Sequence, residues 1–418
     1  MSDKKLSFSQ NSAYNTIGIL INNFCLWLTT LAVVRLSPDY ANAGVWQLSI
    51  SVINIFSTLA AFNLMQYYVS DVNNEHQLED YLGTQLITCI SASLICVAYS
   101  TICGYRGAQF FCICAYMLVR VIEVIAGFMF GIDQRNYRMD FVGISYALRG
   151  ILELVLFSLV LYTTKNIVFA VLSMAIAALT LLVFYDIPNA KRFGKISVSI
   201  SGEKVKSIVL KCTRSVLAIS IFIAVSTIPR QFLEKMYNSE AIGYYSTIAA
   251  PIVVIQVIVI NVFLPLLRDV AEYYKNGNFE KLKTIALKII ATLIGLAVLG
   301  NLGAVVLGKP VYGLLYGQGI RDYCYLIYAV IGCVILYAAC WACWTTPIAI
   351  RKTNLMIWFS AISLLTVIVF GRPMINHFGL NGVSFVTIIA YGIYLVLSVF
   401  FILYNVKKQK ESFNGTGD

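Results

Sequence analysis

Histidine and charged residues are scarce in this sequence, and their scarcity excludes several classes of protein. Only two histidines occur, His76 and His377, so a histidine-based metal or catalytic site is not expected. Charged residues make up 12% of the chain, about half the share that is usual in soluble globular domains. No glycine-rich phosphate loop of the Walker type is present, so the chain itself is not expected to hydrolyse ATP, and we predict no catalytic residue, metal or cofactor.

Hydrophobic residues make up 59% of the chain, and the mean hydropathy is +0.78. The apolar runs continue for about twenty residues, which is the length of a helix that crosses a bilayer. A membrane β-barrel would instead show alternating segments of about ten residues. We therefore predict an all-α integral membrane protein with twelve transmembrane helices. They lie near residues 14–35, 43–65, 82–104, 109–131, 141–162, 166–187, 208–236, 242–266, 284–307, 322–346, 354–375 and 381–404.

The basic residues predict how these helices are oriented. The polar N-terminal segment lacks a small-residue cleavage site, so the first apolar run is expected to remain as a helix. With an even number of helices, both termini lie on one side. Most of the 31 Lys and Arg residues lie in the tails and the even-numbered connections, which predicts that both termini are cytoplasmic. The connection 71–80 dissents, because it has acidic residues and no basic one.

Charge and cysteine content do not indicate other functions. The net charge of +11 is spread over many short connections, so it indicates orientation and contact with anionic lipids rather than nucleic-acid binding. Nearly all of the 11 cysteines lie within apolar segments, where we expect them to pack as small hydrophobic residues. Cys340 and Cys343 have the spacing of a redox pair but lie within a predicted span, so we assign them to packing as well.

The longest hydrophilic interruption, 188–207, divides the predicted helices into two sets of six. We expect an N-terminal six-helix bundle over 1–190, a basic cytoplasmic linker over 191–207, a C-terminal six-helix bundle over 208–406 and a cytoplasmic tail over 407–418. The second helix of each half opens on a similar sequence, Asn42-Ala43-Gly44-Val45-Trp46 and Glu240-Ala241-Ile242-Gly243-Tyr244. Because six is even, the halves would be parallel repeats around a central cavity, which is typical of transporters.

Four stretches carry a resemblance to a known family. They are Ala241-Ile242-Gly243-Tyr244-Tyr245-Ser246, Leu264-Pro265-Leu266, the sequence MQYYVSD at 65–71, and Phe378-Gly379-Leu380-Asn381-Gly382-Val383-Ser384. With them, the chain resembles a polysaccharide flippase of the O-antigen type, in the multidrug/oligosaccharidyl-lipid/polysaccharide exporter superfamily. This resemblance implies that an undecaprenyl-diphosphate-linked oligosaccharide is moved from the cytoplasmic to the periplasmic leaflet by alternating access. Family members often have Asp-Arg where this chain has Pro229-Arg230, so the acidic half of that motif is absent unless Glu234 replaces it.

Three Arg/Glu pairs within predicted helices are candidate substrate-binding groups that line the cavity. They are Arg120 with Glu123, Arg149 with Glu153, and Arg230 with Glu234. A spacing of three or four residues places each pair on one helix face, and an ionised group in a membrane helix faces protein or a water-filled cavity. The planar fork of arginine suits the oxygens of a diphosphate or a carboxylate. Each pair is equally open to a structural interpretation, as a bridge between helices.

Two other functions stay open. A drug/cation antiporter of the same superfamily would have acidic residues in its cavity, whereas each deep acid here has an arginine neighbour. A membrane O-antigen polymerase or ligase would have a large periplasmic loop, whereas the longest loop here is the basic connection. We therefore expect a transporter that draws on an H⁺ or Na⁺ gradient or on the membrane potential. Its expected partners are the lipid bilayer and the lipid-linked oligosaccharide, and polysaccharide polymerase and chain-length proteins are further candidates.

Overall fold

The computed structural model of the protein describes residues 7–71, 74–263, 272–273, 279–349 and 354–414. Within these ranges the chain consists of helices and turns and forms no strand, so the all-α prediction is confirmed. Eleven helices of the described residues are long and apolar enough to cross a membrane. The protein is therefore a multi-pass membrane protein.

The first of two compact units is Met1–Ser220. Its helices are α1 (Phe8–Leu36), α2 (Ala41–Ala61), α3 (Leu64–Ser70), α4 (Leu78–Ile102), α5 (Ala108–Arg135), α6 (Met139–Thr164) and α7 (Ile167–Leu181). After α7 the chain continues through a π-helical turn, Leu182–Asp186, into the short helix α8, Ile187–Ala190. All six spans predicted in this half are present as helices.

The second predicted span is interrupted. Phe62 and Asn63 have left-handed backbone conformations, with φ of 47° and 55°, which few residues with a side chain adopt. They separate α2 from α3, which together form one apolar span, Ala41–Ser70, so the span predicted at 43–65 is present and is interrupted near its end. Asparagine adopts this conformation more often than most residues with a side chain, but phenylalanine does not, so the sequence gives at most a weak sign of the break.

The second compact unit is Ile221–Asp418. The border between the units falls inside helix α9 (Gly202–Met236), whereas the sequence places a linker at 191–207. The later helices are α10 (Ser239–Phe263), α11 (Phe279–Tyr316), α12 (Leu326–Ala349), α13 (Asn354–Phe378) and α14 (Asn381–Asn414). Each coincides with a predicted span, and the motif Leu264-Pro265-Leu266 lies outside the described residues.

Glycines let α1 and α6 pack closely. A Cβ added to Gly18 would lie 2.2 Å from the carbonyl oxygen of Gly143, and one added to Gly143 would lie 2.2 Å from the carbonyl oxygen of Tyr14. Further along α6, a Cβ at Gly150 would lie 2.8 Å from the Cα of Asn22. Small residues at such positions allow two helix backbones to approach. The contact fixes α6, which carries two candidate site residues, against α1.

The basic connection between α8 and α9 packs on the start of α4. The N–H of Ser199 donates a hydrogen bond to the carbonyl oxygen of Glu79 at 3.0 Å, and the hydroxyl of Ser197 donates to the Glu79 carboxylate at 3.0 Å. A Cβ at Gly83 would lie 2.0 Å from the carbonyl oxygen of Ser199, so only glycine fits there. Part of the predicted linker is thus docked on the first unit.

Candidate functional site

Helices α5 and α6 and the end of α7 bring five ionisable side chains together inside the first unit. They are Arg120, Glu123, Arg149, Glu153 and Asp186. Four of them were predicted as candidate site residues in two separate pairs, and the structure joins these pairs in one group, which we call the charged cluster. Asp186 was not predicted. The one sequence signal for it is that it is an acid next to the otherwise apolar helix α7.

Arg149 forms its ion pair with Asp186 rather than with Glu153, so the predicted pairing is corrected here. Its guanidinium donates to the Asp186 carboxylate at 2.8 Å, and the side chains are 2% and 1% exposed. The hydroxyl of Ser145, one turn before Arg149, donates to the other Asp186 oxygen at 2.6 Å. A buried ion pair needs such additional hydrogen bonds to offset its desolvation. The pair links α6 to the end of α7.

The π-helical turn Leu182–Asp186 places the Asp186 carboxylate in this position. A π turn inserts one residue into a helical turn and changes the face on which the following residues lie. Asp186 is the last residue of that turn, and its carboxylate contacts α6 at both Ser145 and Arg149. The local widening of the helix therefore supplies the partner of Arg149.

The predicted pair of Arg120 and Glu123 is present as an ion pair, Nη1 to Oε2, on one face of α5. It is more accessible than the Arg149 pair, with the Arg120 side chain 35% and that of Glu123 16% exposed. The Nε of Arg120 is buried and has no hydrogen-bond partner. Arg120 therefore retains donor capacity that Glu123 does not use.

Glu153 is buried, at 6% exposed, and its Oε1 has no hydrogen-bond partner. Its side chain lies within hydrogen-bonding reach of Glu123. Arg149 is bound to Asp186. The neighbour with which Glu153 can share a proton is therefore a second carboxylate, that of Glu123. Two carboxyl groups this close are most stable when they share a proton or a cation.

The third predicted pair, Arg230 and Glu234, lies on α9 in the second unit. The guanidinium of Arg230 lies 5.9 Å from the ring centroid of Tyr245 on α10, and the Tyr245 hydroxyl lies 3.0 Å from that of Ser384 on α14. Tyr245 and Ser384 belong to two of the stretches that carry the family resemblance. Those stretches therefore meet beside Arg230, and its role in substrate binding stays a prediction.

The third stretch, at 65–71, ends in a network of hydrogen bonds that the sequence did not predict. The Asp71 carboxylate accepts from the hydroxyl of Tyr81 at 2.9 Å and from the N–H groups of Glu75 and His76 at 3.1 and 3.4 Å. Burial raises the pKa of Asp71, but the hydrogen bonds from Glu75, Tyr81 and His76 outweigh it, so this pKa lies below its usual range. Arg135 donates to the Asp71 carbonyl oxygen at 3.0 Å.

The acidic connection 71–80, which dissents from the orientation rule, is neutralised by the start of α9. Lys204 donates to both carboxylate oxygens of Asp80 at 3.1 and 2.9 Å, and Lys211 forms an ion pair with Glu75. The acidic connection and the basic connection therefore lie at the same end of the first unit. That agrees with the predicted topology, which places both on one side of the membrane.

The chain is similar to known transporters and to a polysaccharide protein over nearly its whole length, although no protein-family profile matches it. It is 23% identical over 399 residues to the capsular polysaccharide biosynthesis protein CapF of Staphylococcus aureus, a match that covers 94% of this chain and 98% of that protein. The inward-facing structure of a multidrug resistance MATE family transporter of the MOP superfamily matches with a TM-score of 0.71 and 14% identity, over 97% of this chain and 100% of the other. The lipid II flippase MurJ, in an inward closed conformation, matches with a TM-score of 0.67 and 12% identity, over 95% and 89%.

The matched structures are transporters and a flippase, and none of the three proteins is named as an enzyme. The resemblance inferred from the sequence motifs is thereby supported at the level of the fold. The chain has the fold of the transporters of the MOP superfamily.

Proposed function

We propose that this protein is a flippase for an undecaprenyl-diphosphate-linked oligosaccharide, a repeat unit of O-antigen or of a similar surface polysaccharide. It moves this substrate across the bacterial inner membrane by alternating access. The observation that carries the proposal is the charged cluster, in which two arginines lie near the middle of membrane-length helices. Such a cluster is costly in a bilayer and is retained where it faces protein or water. In a transporter fold, its arginines suit a phosphate-bearing cargo.

Two similarities support the lipid-linked cargo. The relative from Staphylococcus aureus is named for capsular polysaccharide biosynthesis, and one structural neighbour is named as a flippase of lipid II.

We further propose that polysaccharide polymerase and chain-length proteins act with this protein. Transport would draw on an H⁺ or Na⁺ gradient or on the membrane potential, which supplies about 2.3 kcal/mol per charge per 100 mV.

A drug/cation antiporter is the second candidate, and two observations favour it. The MATE neighbour is named for multidrug resistance, and the Oε1 of buried Glu153 has no hydrogen-bond partner. A cationic drug would bind a carboxylate of this kind and would be repelled by Arg120 and Arg149. The two candidates therefore differ in which charge of the cluster contacts the cargo.

Deletion of the gene in its own host tests the proposal. We expect surface polysaccharide to be lost and the lipid-linked repeat unit to accumulate in the inner membrane, with both effects reversed by the full chain. Sensitivity to cationic dyes is measured in parallel. Unchanged surface polysaccharide together with increased dye sensitivity would replace the flippase by the antiporter.

The proposed orientation is tested with reporter fusions. Fusions after Lys195 and after Lys408 are expected to report cytoplasm, and a fusion within 310–319 is expected to report periplasm. Lys195 lies in the basic connection that packs on α4, so a periplasmic signal there would also place the acidic connection 71–80 in the periplasm and would reverse the orientation.

A further inference from the structure

The two arginines of the charged cluster differ in how far they are available to a ligand. Arg149 is 2% exposed and is held by Asp186, which is itself held by Ser145. Arg120 is 35% exposed, although it lies near the middle of α5, where an arginine is not expected to face lipid. The Nε of each arginine is buried and lacks a hydrogen-bond partner, so the exposed fraction of the side chain is what distinguishes the two. Arg120 is therefore the arginine of the cluster that can accept an anionic ligand.

The carboxylate of Glu123 already occupies the guanidinium of Arg120. A phosphate group that binds Arg120 through the same Nη1 must compete with the Glu123 carboxylate for that donor. Glu123 lies three residues from Arg120 on the same helix, so the competing group is tethered and always present. Loss of this partner would leave the Glu123 carboxylate beside Glu153 without its cation.

The groups around Glu153 determine how a released Glu123 can be neutralised. Titratable or charged groups that interact with Glu153 come from α1 (Cys25), from α5 (Tyr116, Arg120 and Glu123) and from α6 (Arg149). Helix α7, the remaining neighbour of α6, has no titratable side chain. Of the two arginines, Arg149 is committed to Asp186. Glu153 and a released Glu123 would then be two adjacent carboxyl groups, and neither arginine of the cluster would be free to neutralise them.

We propose that Glu123 is an internal counter-anion, which an anionic group of the substrate displaces from Arg120, and that Glu123 then takes up a proton beside Glu153. The inference deepens the proposed function and rests on it. The ion pair between Arg120 and Glu123 breaks, and an ion pair between Arg120 and a phosphate oxygen forms. One proton from solution binds to the released carboxylate, which lies beside the carboxyl group of Glu153.

This exchange makes substrate binding dependent on pH. When protons are available, the released Glu123 is neutralised and no longer competes for Arg120, so an anion binds more tightly. When protons are scarce, Glu123 stays ionised and returns to Arg120, so the anion binds more weakly. A cationic cargo would leave the pair of Arg120 and Glu123 intact and would not take up a proton by this route.

The test is proton uptake on binding of a defined probe, farnesyl diphosphate, to the purified full chain in lipid nanodiscs. Calorimetric titrations in buffers of different ionisation enthalpy give the number of protons taken up per molecule bound. For the unaltered protein we expect an uptake approaching one proton, since the coupled pair of carboxyl groups gains one. Affinity should increase as pH is lowered.

Two variants separate the roles of the two carboxylates. Glu123→Gln removes the competing charge, so we expect the probe to bind about tenfold more tightly, as for the loss of one charged hydrogen bond, with no uptake and little dependence on pH. Glu153→Gln should reduce the uptake because the released Glu123 no longer has an adjacent carboxyl group. The matched control is Glu75→Gln, which removes an exposed glutamate that is also paired with a cation, Lys211, and should leave uptake unchanged.

The outcomes distinguish this inference from the proposed function. Normal binding of the probe without proton uptake, or equal uptake in Glu123→Gln, would overturn the exchange and leave the flippase proposal intact. No binding by the unaltered protein, with surface polysaccharide unaffected by gene deletion, would overturn both. If the glutamine variants do not insert, carbodiimide labelling of the unaltered protein is decisive. This reagent reacts with protonated carboxyl groups, so labelling of Glu123 or Glu153 should rise with the probe, and unchanged labelling would contradict the exchange.

Discussion

Two ion pairs of the first unit show how differently the same two chemical groups, a guanidinium and a carboxylate, are used in this protein. Arg149 and Asp186 join two helices, are almost fully buried and are supported by Ser145. Arg120 and Glu123 lie on one helix and are partly exposed. The first pair has the properties of a structural bridge, whereas the second leaves its arginine accessible. Sequence spacing alone led to the same interpretation for both arginines.

The largest effect is expected from breaking the buried pair. Asp186→Asn leaves the charge of Arg149 buried without its counter-ion, and such a change costs about 3–5 kcal/mol. We expect little folded protein in the membrane and a clearly lower melting temperature in detergent. Replacing both partners, with Arg149→Leu and Asp186→Leu, should recover most of the stability, because no charge of this pair is left buried. Normal stability of Asp186→Asn would show that the pair is not a bridge.

The next effect is expected at Arg120 and should appear in transport rather than in stability. Arg120→Ala removes a charged donor worth about 1.5–3 kcal/mol to a bound anion, so we expect at least a tenfold loss of surface polysaccharide at a near-normal protein level. Arg120→Lys keeps the charge but loses the planar fork, so partial transport should remain. A drop in protein level as large as that of Asp186→Asn would instead assign Arg120 to structure.

Arg230 extends the comparison to an arginine beside an aromatic ring. If it binds an anionic part of the substrate, Arg230→Ala should stop export at a normal protein level, and Arg230→Lys should retain part of it. If it only forms a bridge with Glu234, the exchange Arg230→Glu with Glu234→Arg should restore export, because the bridge is preserved. Surface polysaccharide per inserted protein is the measurement. Full export by Arg230→Ala would exclude a substrate role.

The smallest effect is expected at Asp71, whose carboxylate is held by neutral donors instead of arginine. Its pKa in the folded protein lies below the usual value, so its stabilising effect is present above the unfolded pKa, about 4, and is lost as pH falls through the lowered folded pKa. Hydrogen exchange at the N–H groups of Glu75 and His76 should therefore lose protection in strong acid. Asp71→Asn should abolish this pH dependence, whereas Tyr81→Phe should retain most of it. Equal pH dependence in Asp71→Asn would contradict the assignment.

The sequence predicted what depends on local spacing. The membrane-length helices of the described residues follow from apolar runs, and the ion pair of Arg120 and Glu123 follows from their spacing of three residues on one helix. The break at Phe62 and Asn63 could not be predicted, because it requires left-handed backbone at two residues that carry side chains. In the structure the side-chain amide of Asn63 donates to the Ser215 hydroxyl at 3.4 Å, a contact between residues far apart in sequence that local propensity does not indicate.

The partner of Arg149 could not be predicted for a related reason. Asp186 lies 37 residues further along the chain, and it contacts Arg149 only because the end of α7 forms a π turn. The same holds for the connection 71–80, whose acids bind Lys204 and Lys211 on α9. Contacts of this kind depend on which helices are neighbours, and a helical period in one sequence does not contain that information.

The ion pairs between the acidic connection 71–80 and the start of α9 have a consequence for synthesis of the protein. Asp80 and Lys204 are 124 residues apart, and Glu75 and Lys211 are 136 apart. At about 5–20 residues per second, the acidic connection is made roughly ten seconds before its cations leave the ribosome. During that interval the first helices insert without these ion pairs, so the basic residues of other segments must set their orientation. The acids of this connection are neutralised only when α9 is made, which ties completion of the first unit to synthesis of the helix that leads into the second.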